Sequence, residues 1–186
     1  MRTLIVSEFV TLDGVMEAPG GEPTHRFTGW VGDYGSPELF RYKLAEVQAA
    51  AILLIGRLTY ESFAGAWPSR EGAFAERMNA MPKIVVSNTL TKPTWNNTAV
   101  LSGNFRAGIA DIKAQAGGPI IVAGSSTLVH ALLDADLVDE LRLMVFPVTI
   151  GSGRRVFPAT TRKTAWHLVE SQTFPNQVRV DTYRPA

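Results

Sequence analysis

Two short segments of this chain carry the residue types that bind anions, Gly56-Arg57-Leu58-Thr59 and Gly124-Ser125-Ser126-Thr127. Each follows an apolar run, Ala51–Ile55 in one case and Pro119–Ala123 in the other, and each opens an amphipathic stretch. A helix start leaves backbone N–H groups unpaired and carries a positive partial charge. A glycine there lets a phosphate approach the backbone. Arg57 adds a planar fork of donors suited to phosphate, and Thr59 a hydroxyl that would cap a helix beginning near it. Taken alone, Ser125 reads equally well as an ordinary N-cap and Arg57 as a surface residue. The pair, roughly seventy residues apart, suggests one extended ligand gripped at two helix N-termini, a dinucleotide. A third polar cluster, Ser87-Asn88-Thr89, ends another apolar run. Ligands of open α/β sheets collect beyond such strand ends. There is no GxGxxG after a strand and no GxxxxGK[ST], so a standard Rossmann domain or P-loop NTPase is not expected.

The elements that must position these residues follow from hydrophobic pattern and punctuation. Residues 3–9 read as a strand, followed by a long loop broken by Gly14, Pro19, Gly20, Gly21 and Pro23. Ser36-Pro37 predicts a helix start, with Phe40, Leu44 and Val47 as its apolar face. Residues 51–55 form a strand, and a weaker helix is expected over 72–79. Strands follow at 83–88 and 99–102, then a helix bearing Phe105, Ile109, Ile112 and Ala116. The run 119–123 is wholly apolar, as befits a strand covered on both faces. The end of the chain changes pattern. Residues 141–148, 167–174 and 177–183 read as strands with no helix among them, the last two joined by a tight turn at Pro175-Asn176. This order predicts a three-layer α/β/α fold, with a mostly parallel sheet and an antiparallel edge at the C-terminus.

Composition bounds the function. The 186 residues suit one domain, 1–186. The 18 Lys+Arg nearly cancel the 17 Asp+Glu, and no basic stripe points to nucleic acid or an anionic membrane. No apolar run is long enough to cross a bilayer, and the first residues lack a signal-peptide layout. A cytoplasmic protein is expected. The absence of cysteine excludes disulfides, thiolate catalysis and cysteine-ligated zinc. The histidines His25, His130 and His167 have no metal-ligand spacing; His130 and His167 read as structural, while His25, in a polar loop, can reach a substrate.

The blocks TLDG (11–14), LLIGRLTYESF (53–63), KIVVSNTL (83–90), IIVAGSSTLVHALL (120–133) and DELRLMVFPVTIGSGRRVF (139–157) resemble, in order and over nearly the whole chain, the dihydrofolate reductase-like superfamily. More narrowly they resemble the reductase domain of the riboflavin-biosynthesis deaminase/reductase. The resemblance implies NADPH as cofactor. Gly56, Arg57 and Thr59 would line it, with Arg57 at the adenosine 2′-phosphate and Ser87 and Asn88 near that phosphate and its ribose. Gly124, Ser125, Ser126, Thr127 and Leu128 would hold the pyrophosphate. Ser7, Glu8 and Val15 would border the nicotinamide, with Ala123 beneath the ring. The place of the folate reductases' pterin-binding carboxylate falls on or near Phe40, and a phenyl ring cannot pair with a protonated pterin. Folate reduction is therefore not expected. The TLDG element and the IGSGRRVF loop point to a reductase of a C=N or C=O group on a small heterocyclic or sugar-derived substrate, such as 5-amino-6-(5-phosphoribosylamino)uracil. A non-catalytic nucleotide-binding protein of the same fold is the alternative. Asp13 would relay a proton or bind a substrate hydroxyl, although Asp13-Gly14 is also a favoured turn dipeptide. Glu17, Trp30, Phe40 and Arg154 are further substrate-side candidates, with Arg155 and Trp67 beside them. A homodimer formed through the C-terminal strands is expected, with no nucleic-acid or membrane partner and no metal.

Overall fold

The computed structural model describes residues 1–157, 159 and 163–186. The elements are β1 (Leu4–Thr11), α1 (Pro37–Ala49), β2 (Ile52–Gly56), α2 (Arg57–Ala66), α3 (Ala73–Ala80), β3 (Lys83–Val86), β4 (Thr98–Leu101), α4 (Phe105–Ala114), β5 (Ile120–Val122), α5 (Ser126–Asp134), β6 (Glu140–Phe146), β7 (Trp166–Thr173) and β8 (Arg179–Pro185). A single 3-10 turn, Gly32–Tyr34, precedes α1. The strands form one sheet in the order β4-β3-β2-β5-β1-β6-β8-β7. The first six in that order run parallel; β8 pairs antiparallel with β6, and β7 antiparallel with β8. The expected architecture is thus the observed one.

The sheet is buried on both faces, and β2 and β5 at its centre are apolar at every position. Leu4, Val6, Ile120, Val122 and Leu54 turn to one side, where Ile109 of α4 and Leu128, Val129 and Leu132 of α5 cover them. Leu53, Ile55 and Ile121 turn to the other, against Val47 of α1, Tyr60 of α2 and Met78 of α3. Consecutive strand residues serve opposite layers, as the pleat requires. A third cluster beyond α1 gathers Trp30, Leu39, Phe146, Phe174 and Val180. Lys83 is buried at the start of β3, its Nζ donating to the carbonyls of Asn79, Met81 and Asn96 and lying over the Trp95 ring. Burial and the nearby Arg77 push its ammonium down to about 8. It ties the end of α3 to the loop before β4, at the end of β3 away from the polar strand ends.

Local signals account for most boundaries. Ser36 caps α1 by accepting from the Leu39 amide, with Pro37 in the first turn. The Pro175-Asn176 turn closes with the Gln177 amide donating to Phe174. Two expectations need correction. Helix α2 begins at Arg57, and Thr59 caps nothing, because Gly56 already occupies the N-cap. The apolar stripe expected on α1 is rotated. Leu39, Glu46 and Val47 are buried, whereas Phe40 is 55% exposed and lies against Phe74, their ring centroids 5.8 Å apart. The face of α1 toward β1 is held by charge, described below, and apolar periodicity cannot register that.

After β1 the chain pairs with the segment after β6. Leu12 N–H donates to Val148, Met16 N–H to Arg154 and Val156 N–H to Gly14, with an antiparallel bridge between Val15 and Arg155. This ribbon joins TLDG to IGSGRRVF at the C-terminal end of β1.

Candidate functional site

The strands β1, β2, β3 and β5 end on one side of the sheet, and the polar clusters gather there. A cleft of about 290 Å³ is lined by Gly56, Arg57, Val86, Ser87, Phe105, Ser125, Thr127 and Leu128, among others. Helices α2 and α5 both begin at it. Neither N-terminus is capped by a side chain, whereas Ser36 caps α1 and Asn104 caps α4. Two sets of helix-start amides are thereby left without side-chain partners beside one cleft, the arrangement that favours an anion.

The two helix starts are in contact, and glycine makes that possible. A Cβ on Gly56 would overlap Ser125 Oγ. Gly124 has φ +80°, and a Cβ there would lie 2.8 Å from Thr59 Oγ1, so Thr59 packs its hydroxyl against the second turn instead of capping the first. The Gly56 amide donates to the Gly124 carbonyl, and the Gly124–Ser125 peptide is cis. Arg57 lies at the cleft, its guanidinium 2.7 Å from Glu61 in a half-exposed pair one helical turn apart. The Ser87 hydroxyl accepts from the Thr89 and Leu90 amides, and Asn88 accepts from Gly103. Both residues therefore order their own loops while Ser87 lines the cleft. Ser126 is buried in the first turn of α5.

On β1 the side chains alternate. Glu8 turns toward the second helix start, its Oε1 accepting the Gly124 N–H at 2.6 Å. Burial pushes its carboxyl up to about 8, against the opposing pull of the Gly124 amide and Lys43. Ser7 turns toward α1, where its hydroxyl donates to Glu46 at 2.9 Å and accepts from Lys43 at 3.1 Å. Glu46 also pairs with Lys43 and with Arg142 of β6, and Arg142 and Arg184 both reach Glu140. Burial disfavours the charge on Glu46, but Lys43, Ser7 and Arg142 outweigh it and hold the carboxyl below its ordinary value. Helix α1 thus carries a buried carboxylate directed at β1, at Glu46 and not at Phe40. Sequence reasoning missed this network. Its one local signal was Lys43 and Glu46 at helical i, i+3 spacing. Val15, in the ribbon, is fully buried, and Ala123 sits partly buried at the end of β5.

The substrate-side expectations fare differently. Asp13 is committed to structure. It accepts from the Thr11 hydroxyl at 2.6 Å and from the Gly151 and Ile150 amides at 2.8 and 3.3 Å. The Thr11 bond, with those amides against a small burial cost, holds its carboxyl below the ordinary value. An acid stabilised as the anion is a poor proton donor, and this carboxylate clasps the loop at Ile150 and Gly151. Glu17 likewise accepts from the Arg154 amide at 2.9 Å. Trp30 is core, edge-on to Phe146 with its indole N–H on the Glu17 carbonyl. Trp67 stacks on Phe74. Arg154 is exposed on the ribbon. His25 reaches Ser152, and His130 the Arg155 carbonyl. No cluster of metal-ligating side chains occurs among the described residues, nor is any described helix long and apolar enough to cross a membrane.

The sheet order, the antiparallel edge and the two glycine-opened helix starts define a protein of the dihydrofolate reductase-like fold. A family model places it further: residues 2–180 match the RibD C-terminal domain, and the chain belongs to that family. It is 33% identical to the uncharacterized protein YwjB of Bacillus subtilis (strain 168), over 98% of both chains. Among solved structures it superposes on a putative riboflavin biosynthesis protein from Shewanella sp. PV-4 with a TM-score of 0.78 at 20% identity, covering 100% of this chain and 99% of the other. It also superposes on dihydrofolate reductase from Enterococcus faecalis, solved with NADP(H), with a TM-score of 0.64 at 17% identity, covering 98% and 96%.

Proposed function

We propose that this chain is an NADPH-dependent reductase that transfers hydride to a C=N or C=O group of a small heterocyclic or sugar-derived substrate, most like 5-amino-6-(5-phosphoribosylamino)uracil. The observation that carries the reading is the cleft at which α2 and α5 both begin uncapped, lined by Arg57, Ser87, Ser125 and Thr127. A cation beside two sets of helix-start amides suits a dinucleotide bearing a 2′-phosphate and a pyrophosphate. The family, and the fold shared with an NADP(H)-bound reductase, support it. NADPH would supply the hydride, and the chain's own residues would bind, orient and shield it. Gly56 and Gly124 let the two helix starts meet at the cleft, Arg57 meets the 2′-phosphate, and Ser7, Val15 and Ala123 border the nicotinamide.

Fluorescence titration of the purified chain with NADPH and NADH tests the cofactor. Loss of NADPH absorbance with a panel of pteridines and the aminouracil phosphate tests the reaction. Tighter binding of NADPH than NADH is expected, with turnover of a panel member. Equal affinity for both, or none, overturns the cofactor reading. Binding without turnover favours the second reading, a nucleotide-binding protein without catalysis. The commitment of Asp13 to loop amides is the observation on that side. A homodimer is part of the proposal: β7 is an open sheet edge with Leu168 and Val169 exposed, and light scattering reads the mass.

A further inference from the structure

Glu8 is an unexpected side chain where it stands. It is 7% exposed, and its Oε1 holds the amide of Gly124, the residue that opens the turn into α5. Under the reading above, that turn receives the cofactor's pyrophosphate. A carboxylate beneath it would repel the anion, while a neutral carboxyl makes the same hydrogen bond and carries no charge.

We propose that Glu8 is a positioning residue for the dinucleotide: in its neutral form it fixes the Gly124 amide and the start of α5 to accept the pyrophosphate, and when ionised it opposes that anion. This rests on the NADPH reading. The groups that bias Glu8 are few. Helix α1 brings Lys43 and Glu46 within electrostatic reach, and Glu46 is itself paired with Arg142 of β6. The ionisable residues of α5 are His130, which bonds the Arg155 carbonyl, and Asp134 at its far end. On β6 the residue opposite Glu8 is the uncharged Leu143. Burial dominates these influences and pushes the carboxyl up to about 8, within the range where binding can be measured.

The test uses the full chain, Glu8→Gln and Glu8→Leu. NADPH affinity is followed by fluorescence from pH 6 to 9, and the Gly124 amide by NMR across the same range without cofactor. In the wild type the Gly124 amide should titrate with a midpoint near 8, and NADPH affinity should fall about tenfold or more through it. Glu8→Gln, which keeps the acceptor but cannot ionise, should retain the low-pH affinity throughout and show no titration at Gly124. Glu8→Leu should bind weakly at every pH, with faster solvent exchange at Gly124. Parallel affinity profiles for wild type and Glu8→Gln overturn the proposal, as does a wild-type Gly124 amide that ignores pH. Absence of NADPH binding at pH 6 in both proteins, with Gly124 still titrating, overturns the cofactor reading and with it this role.

Discussion

Ser125 Oγ occupies the space in which a side chain at position 56 would begin, so the starts of α2 and α5 touch through the one residue type that lets them. Gly56→Ala must separate the two turns or distort one of them. Overpacking of this kind costs about 1–3 kcal/mol, read as a lower urea midpoint, and the displaced helix starts should weaken NADPH binding about tenfold or more. Adding Ser125→Gly to Gly56→Ala removes both atoms a new Cβ would strike and should restore much of the stability. Equal midpoints for Gly56→Ala with and without the second change would show that the contact does not constrain the fold.

Arg57 offers a cleaner separation of binding from stability. Its pair with Glu61 is half-exposed, and such i, i+4 pairs contribute about 0.3–0.5 kcal/mol. Arg57→Ala should therefore leave the urea midpoint nearly unchanged while reducing the preference for NADPH over NADH. A charge-assisted contact to the 2′-phosphate is worth about 1.5–3 kcal/mol, so the preference should fall about tenfold or more. An unchanged ratio of the two affinities would remove Arg57 from the phosphate site.

Much of this architecture was legible in the chain itself, and the parts that were not share a physical cause. Residues 119–123 read as a doubly buried strand because every residue is apolar, residues 51–55 read as a strand, and Gly56, Gly124 and Ser36-Pro37 marked where helices begin. Those are local signals. The apolar stripe Phe40, Leu44 and Val47 misplaced the inner face of α1 because that face carries Lys43 and Glu46, whose partners Ser7 and Arg142 come from two other strands. Asp13-Gly14 announced a turn but could not show that the Asp13 carboxylate would be filled by amides of Ile150 and Gly151, brought back by the ribbon. Charge and hydrogen-bond partners set by tertiary pairing leave no periodicity to read.

Asp13 itself makes a prediction opposite to that for a catalytic acid. Asp13→Asn keeps the shape but loses the charge and places an amide nitrogen where the backbone amides need an acceptor. It should loosen the 149–153 loop, seen as faster hydrogen exchange at Gly151, and lower stability by about 0.5–1.5 kcal/mol. Because the folded carboxyl is held below its ordinary value, its contribution is present above the unfolded value and disappears as pH falls through the folded one. Any pH dependence of the Asp13→Asn effect should therefore lie on the acid side. Unchanged Gly151 exchange would contradict the clasp.

Glu46 is the stronger case of the same sign. It is buried between Lys43 and Arg142, and removing one partner of a buried pair costs about 3–5 kcal/mol. Lys43 is partly exposed and Arg142 keeps Glu140, so the lower end of that range is expected for Glu46→Gln. The folded carboxyl lies below its ordinary 4.5, so the stabilisation is present above that value and is lost as pH falls through the folded one. Urea midpoints of wild type and Glu46→Gln should converge in acid. A gap that persists unchanged to pH 3 would assign the loss to packing instead of charge.

Glu8 reverses that sign. Its folded value, about 8, stands above the ordinary 4.5, so the folded state holds a proton that the unfolded chain has already released. The stability it contributes is complete below about pH 4.5 and drains away as pH rises toward 8, with a limiting slope of about 1.4 kcal/mol per pH unit. Glu8→Gln has no proton to lose and should not show this slope. Its urea midpoint, compared with wild type, should therefore rise steadily between pH 5 and 8, while groups common to both proteins cancel. Binding obeys the same linkage. A ligand that prefers neutral Glu8 must draw a proton from solvent when it binds above the midpoint. Calorimetry of NADPH binding at pH 8.5 in buffers of different ionisation enthalpy should detect proton uptake by wild type beyond that of Glu8→Gln. Equal proton uptake by the two proteins would leave Glu8 as a fold residue with no bearing on the cofactor.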